Sequence, residues 1–273
     1  MKIRRTVRNL LLDYKLSIIK NGGYPYPINV NAAGKIAFVP EYNFYYNRVQ
    51  KNANSTLMIL INKINNKKIQ ISDVSKSQQI GIIDMPNDKL RNLKKYRSLL
   101  IKRNPYSRVL SAFLNKFAKE KYQKKFGHFE LNSVGFKKFL YWLRDGGISK
   151  NGHWDLQKKQ MLISAIRYTD IISFENINEG LERFFRGVGV PAELVDLKKS
   201  SDLGSFHSTN AASKVELFYD LECVQLVSEL YRADFEELGY ATHTRSRASC
   251  MLVMSTSMAC DTFLTCPGSL DQS

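Results

Sequence analysis

The sequence predicts an α/β fold, three layers deep, with a central parallel sheet flanked by helices on both faces. Three observations carry that expectation. Short apolar runs of strand length, bounded by turn residues, occur at 44–50, 79–83, 96–101 and 170–174. The first and third each pass through a tight polar turn into a helical pattern, which is the order of a parallel sheet with crossover helices. At 273 residues, 44% of them apolar, the chain can bury one substantial core with an accessory subdomain.

Taken in order, residues 1–25 read as one basic amphipathic helix that ends at Asn21-Gly22-Gly23 and leads into a Tyr-Pro-Tyr-Pro connector. A surface helix with a solvated face is one reading, and peripheral membrane contact is the other. Residues 1–43 are assigned to this helix and connector, and 44–240 to the main domain. After the strand at 44–50 comes Lys51-Asn52-Ala53-Asn54-Ser55-Thr56, and then an apolar helix from Leu57. A lysine and two hydroxyls between a strand and a helix start are the parts of a phosphate loop, without Walker glycines. Helix capping by Ser55 or Thr56 accounts for the pattern equally well. The run 79–83 reads as a short strand ending at Asp84.

The strand at 96–101 leads to Lys102-Arg103-Asn104-Pro105-Tyr106-Ser107-Arg108 and a helix whose apolar positions are Val109, Leu110, Phe113, Leu114 and Phe117. A basic residue, an Asn-Pro turn and a helix N-terminus make an anion cradle, because first-turn N–H groups lack intrahelical acceptors and the dipole end is positive. In parallel sheets ligands gather at the carboxyl ends of the strands, which would bring Lys51, Asp84 and Arg103 to one edge. Further on, 134–144 reads as a core helix, 157–166 and 178–187 as helices, 198–214 as a polar loop able to close over a ligand, and 221–232 as a helix capped by Asp220. Residues 241–273 hold three of the four cysteines and three of the seven methionines but no lysine. This composition break predicts a disordered or atypical tail.

The formal charge of +16 favours an anionic partner: a nucleotide, a nucleic acid, an acidic glycan or a membrane surface. No run of about 18 apolar residues exists to span a bilayer. Cys223, Cys250, Cys260 and Cys266 have neither zinc spacing nor a disulfide framework, so a reducing cytoplasm is the expected setting, with membrane contact no more than peripheral.

In order and spacing, the motifs together resemble those of the family 2 sulfotransferases, the carbohydrate sulfotransferase group, over roughly residues 44–240. The stretch Arg103-Asn-Pro-Tyr-Ser-Arg-Val-Leu-Ser111-Ala-Phe resembles that family's 3′-phosphate motif. Gln50-Lys51-Asn-Ala-Asn-Ser55-Thr56 is similar to its 5′-phosphosulfate loop. His153-Trp154-x-x-Gln157, Phe174-Glu175-Asn176 with Gly189-Val-Pro191, and Tyr231-x-x-Asp234-Phe235-Glu236-x-x-Gly239-Tyr240 look like its later segments. Asn104 stands where an acidic residue is usual, Ser173 where Arg is frequent, and the cysteine common after the His-Trp segment is absent. The N-terminal anchor of eukaryotic members is also missing, which suggests a soluble enzyme of bacterial type.

The resemblance implies a P-loop-like three-layer sandwich and transfer of the sulfuryl group of 3′-phosphoadenosine 5′-phosphosulfate to a glycan hydroxyl, with no metal required. Lys51 would meet the bridging oxygen. Asn52, Asn54, Ser55 and Thr56 would line the phosphosulfate loop, and Arg103 and Ser111 would hold the 3′-phosphate. Arg108 is expected at the surface or behind the site. Two groups are candidates for the base. His153 titrates in a suitable range, its rival reading being a packed histidine beside Trp154; Asp84 stands at a strand end, with a turn-forming Asp as its rival reading. His128 and His207 are expected at the surface. Two alternatives carry different expectations. A nucleotide kinase requires a Walker lysine loop and carboxylates for magnesium. A non-enzymatic polyanion or nucleic-acid binder requires only the charge, and no specific nucleic acid is implied.

Overall fold

The computed structural model describes residues 2–21, 33–66, 79–161, 168–197 and 209–242. Its sheet has four strands in the order β1 (Ile36–Val39), β2 (Phe44–Asn47), β3 (Arg97–Lys102) and β4 (Asp170–Ser173). The helices are α1 (Lys2–Asn21), α2 (Asn54–Asn65), α3 (Asn87–Arg91), α4 (Pro105–Phe117), α5 (Glu120–Phe126), α6 (Ser133–Trp142), α7 (Ile177–Gly187), α8 (Val215–Phe218), α9 (Leu221–Leu230) and α10 (Arg232–Leu238). Strands β2, β3 and β4 run parallel, as expected. β1 is antiparallel to β2, in a stretch that the sequence reading assigned to the connector before residue 44. Its four residues, Ile-Ala-Phe-Val, are all buried, so they show no alternation to mark them as a strand.

The three layers follow from the strands' alternate side chains. On one face Ala37, Val39, Phe44, Tyr46, Leu99 and Ile101 pack against α2 and α7. On the other, Ile36, Phe38 and Tyr45 pack against Leu12, Leu16 and Ile19 of α1 and the 82–96 connector. A separate helical wing is built from α4, α6, α9 and α10, with Trp154 fully buried among Phe117, Phe126 and Phe139. The Trp154 ring N–H donates to the Gly147 carbonyl at 3.0 Å, so its one polar atom is satisfied inside an aromatic core. α1 buries one side only, and Val7, Leu10, Leu11 and Tyr14 are exposed along it. Among the described residues no helix is long and apolar enough to cross a membrane.

The run 79–83 is not a sheet strand. Ile80 makes a single antiparallel bridge to Phe38, outside β1, and the chain then turns through a 3-10 helix, Ile82–Asp84. The Asp84 carboxylate accepts the Gly81 N–H at 2.8 Å, so Asp84 is a turn residue on the far side of β1 and does not join Lys51 and Arg103. The first turn of the stretch expected as a helix from Gln157 is irregular up to Met161, and 162–167 lie outside the described residues. Most of the 198–214 loop, His207 included, and the tail from residue 243 also lie outside them. His128 is exposed, as expected.

Candidate active site

One cavity of about 610 Å³ opens at the carboxyl ends of β2 and β3, and it brings Lys51, Asn54, Ser55, Thr56, Arg103, Ser111 and His153 together. The loop after β2 gets there by an unusual backbone. Lys51 and Ala53 both adopt left-handed conformations, with φ of 72° and 51°, where glycine is the easy residue. That turn starts α2 at Asn54 with Ala53 as its N-cap and no side-chain cap. The capping role open to Ser55 and Thr56 is therefore not the one they take. They stand in the first turn, facing the cavity, where a helix presents N–H donors and the positive end of its dipole. Asn54 accepts from the Arg48 guanidinium at 3.0 Å, which fixes the loop from outside.

Asn52 belongs behind the loop, not in the cavity. Its side chain is fully buried and donates to the Ile101 carbonyl at 2.8 Å and to the Gln157 side-chain oxygen at 2.7 Å. Gln157 in turn donates to the Arg103 carbonyl at 2.8 Å and accepts the Arg103 N–H at 3.2 Å. One buried glutamine thus ties the two anion loops to each other. Gln157 is held by its own N–H, which donates to the buried Asp234 carboxylate at 2.7 Å, and Lys158 N–H reaches the other oxygen at 2.9 Å. Burial raises the Asp234 carboxyl's pKa, while Arg108 and these two N–H groups oppose that rise.

Arg103 is nearly enclosed. Its Nη1 donates to the Lys51 carbonyl at 2.8 Å and its Nε to Ser107 Oγ at 3.1 Å, with the Phe174 ring beneath it at 4.0 Å. Burial pulls its pKa down to about 10, leaving it a cation at any working pH. Asn104 caps α4, accepting the Tyr106 N–H at 2.9 Å, so the amide serves the cap that the family's acidic residue would serve. The Asn104 N–H donates to Glu175, whose other oxygen accepts the Tyr240 hydroxyl at 2.8 Å. Ser111, two turns into α4, accepts from Thr209 at 3.1 Å. Of the two places expected for Arg108, the surface and behind the site, the structure has it in the second. It is fully buried and donates to the carbonyls of Gln50, Asp155 and Gly152, because the 150–157 segment folds over it and leaves carbonyls needing donors.

Lys51 is held in a field of like charge. Burial first, then Arg103, Lys116, Arg108 and Lys119, pulls its ammonium down to about 7. His153 pairs its Nδ1 with Asn151 Oδ1 at 2.7 Å; since that oxygen only accepts, Nδ1 carries the proton and Nε2 is the acceptor nitrogen. Burial, then Lys116 and Lys51, pushes the imidazole down to about 3, so in the ligand-free cavity it is neutral and a weak base, below the range in which a general base works best; a bound polyanion would offset those cations and raise it. The cavity also contains Asn115, Lys116 and Lys119, which the sequence reading passed over. Asn115 and Lys119 follow Ser111 at i+4 and i+8, a periodicity that could have found them, whereas Lys116 at i+5 carries no such signal. The described lining holds four cations, Lys51, Arg103, Lys116 and Lys119, and no carboxylate.

No solved structure matches the chain. Carbohydrate sulfotransferase 14 of Danio rerio is 28% identical over 173 residues, covering 55% of this chain and 47% of that protein. The chain thus matches about half the length of that curated relative. The sulfotransferase family matches residues 35–241, a span that begins just before β1 and includes every segment lining the cavity. On the strength of that match, the chain belongs to the sulfotransferase family.

Proposed function

We propose that the cavity binds 3′-phosphoadenosine 5′-phosphosulfate and passes its sulfuryl group to a carbohydrate hydroxyl by in-line displacement. The observation that carries this reading is the pair of anion cradles in one cavity, with four cations and no carboxylate in its described lining. Arg103 and Ser111 hold the 3′-phosphate, the guanidinium contributing charge-assisted donors. The α2 N-terminus, with Ser55 and Thr56, receives the 5′-phosphosulfate, and Lys51 meets the oxygen that leaves. His153 Nε2 takes the acceptor's proton. The apolar side of the cavity, Phe174, Ile177 and Leu181, suits the purine. That the acceptor is a saccharide is supported by family membership and by the name of the fish relative. A magnesium-dependent kinase would need carboxylates beside the phosphates, and the described lining offers none.

The test uses the product nucleotide. 3′-Phosphoadenosine 5′-phosphate should raise the melting temperature of the protein, and adenosine 5′-phosphate, lacking the 3′ group, should raise it much less. Arg103→Ala should abolish the difference between the two, a loss on the order of 100-fold in affinity for a buried charged contact. Equal stabilisation by any polyanion, unchanged in Arg103→Ala, would instead mean a charge-driven binder. Labelled sulfate transfer to a panel of glycans then identifies the acceptor.

A further inference from the structure

We propose that Lys116 is a second catalytic cation of this reaction, its ammonium holding the non-bridging oxygens of the migrating sulfuryl group across from Lys51. The proposal rests on the donor reading above and adds a residue that the motifs do not contain.

Lys116 lies in the last turn of α4 and lines the same cavity as Lys51, Thr56 and His153. The helix acts as a spacer. At about 1.5 Å per residue, Lys116 stands roughly 7.5 Å further along α4 than Ser111, away from the 3′-phosphate end. Its Nζ sits 5.3 Å from the centre of the Tyr122 ring, and that ring meets His153 edge-on at 6.4 Å. A cation–π contact places an ammonium and leaves its charge intact. The field agrees with the geometry. Lys116 is the strongest of the charges acting on His153, and second only to Arg103 among those acting on Lys51. Lys119 acts on Lys51 more weakly than Lys116 does and is not among the leading charges on His153, which ranks Lys116 first of the two neighbours.

The chemistry needs a cation at that position. The acceptor oxygen forms a bond to sulfur as the bond from sulfur to the 5′-phosphate oxygen breaks. The electron pair leaves with that phosphate oxygen, which Lys51 meets, and the acceptor's proton goes to His153 Nε2. The three non-bridging sulfuryl oxygens stay anionic throughout and change direction as sulfur inverts, so a fixed cation beside them favours the transition state. Arg103 is committed to the Lys51 carbonyl, Ser107 and the far end of the nucleotide, whereas Lys116 lines the cavity with Lys51 and His153.

The acceptor need not be known to test it. Calorimetric titrations without acceptor should compare 3′-phosphoadenosine 5′-phosphosulfate with 3′-phosphoadenosine 5′-phosphate, which lacks only the sulfuryl group. Lys116→Met should bind the phosphate nucleotide within about two-fold of the parent protein and the sulfated one at least ten-fold more weakly. Lys116→Arg should recover most of that loss, which a folding defect would not allow. Equal weakening for both nucleotides would make Lys116 a phosphate ligand, and no weakening would remove it from the site; either overturns the proposal. If the parent protein binds neither nucleotide, the donor reading itself fails, and the two failures are distinct.

Discussion

Replacing Lys51 by Met should lower sulfuryl transfer on the order of 10²–10³-fold, while donor affinity falls less. The leaving oxygen gains charge only as its bond to sulfur breaks, so a cation there binds the transition state better than the ground state. Met keeps the length and packing of the side chain and removes the charge. Labelled transfer to the acceptor identified by the panel gives the first quantity, and the melting shift with 3′-phosphoadenosine 5′-phosphate gives the second. Equal losses in both would mean that Lys51 binds the donor and does nothing more. The same lysine sets a pH dependence. Its ammonium is pulled to about 7 in the ligand-free cavity by burial and by Arg103. A bound polyanion favours the charged form and raises that value, so above pH 7 donor binding takes up a proton and affinity falls as pH rises, by up to about tenfold per unit. Stability of the ligand-free protein runs the other way. The unfolded lysine keeps its proton up to about pH 10.5, and the folded one gives it up near 7. Between those limits the unfolded state binds more protons, and the lysine's contribution to stability rises with pH. Melting temperatures at pH 7 and pH 9, with and without 3′-phosphoadenosine 5′-phosphate, should therefore converge at the higher pH.

Local patterns showed the parts of the molecule that short stretches of chain decide. β3, the Asn104 cap and the start of α4 are written in a dozen consecutive residues, and the structure has them within a few positions of where the sequence puts them. The loop with Lys51, Ser55 and Thr56 was equally visible, because a strand, a polar turn and an apolar helix follow one another without interruption. What was hidden depends on contacts across long separations. Arg108 could be read either as a surface cation or as one behind the site, because nothing within its own helix shows that residues 150–157 lie over it. Asn52 looked like a ligand because its neighbours Lys51, Asn54, Ser55 and Thr56 line the cavity, yet its amide points back to Gln157, 105 residues away. β1 was missed for a different reason: buried on both faces, it shows neither a period of two nor a turn-bounded alternation. Asp84 was misplaced for the converse reason, an apolar run of strand composition that finds only one bridge in the fold.

The long-range network has its own largest consequence at Asp234, a residue that does not line the cavity. Asp234→Ala should destabilise the protein by about 3 kcal/mol, the usual scale for removing one partner of a buried charged cluster. For a chain of this length that is roughly 6–12 °C in melting temperature. Two physical losses add up. The N–H groups of Gln157 and Lys158 lose the carboxylate oxygens that accept them at 2.7 and 2.9 Å. The fully buried Arg108 loses the largest of the opposing charges that offset its burial. Asp234→Asn should recover part of the stability, since its carbonyl can still accept one N–H, but not the charge term. Because Gln157 spans Asn52 and both backbone groups of Arg103, Asp234→Ala assayed well below its melting temperature should also bind 3′-phosphoadenosine 5′-phosphate more weakly than the parent protein. A variant as stable as the parent would show that the 231–240 segment does not brace the site. A destabilised variant with undiminished donor affinity would show that it braces the fold but not the two anion loops.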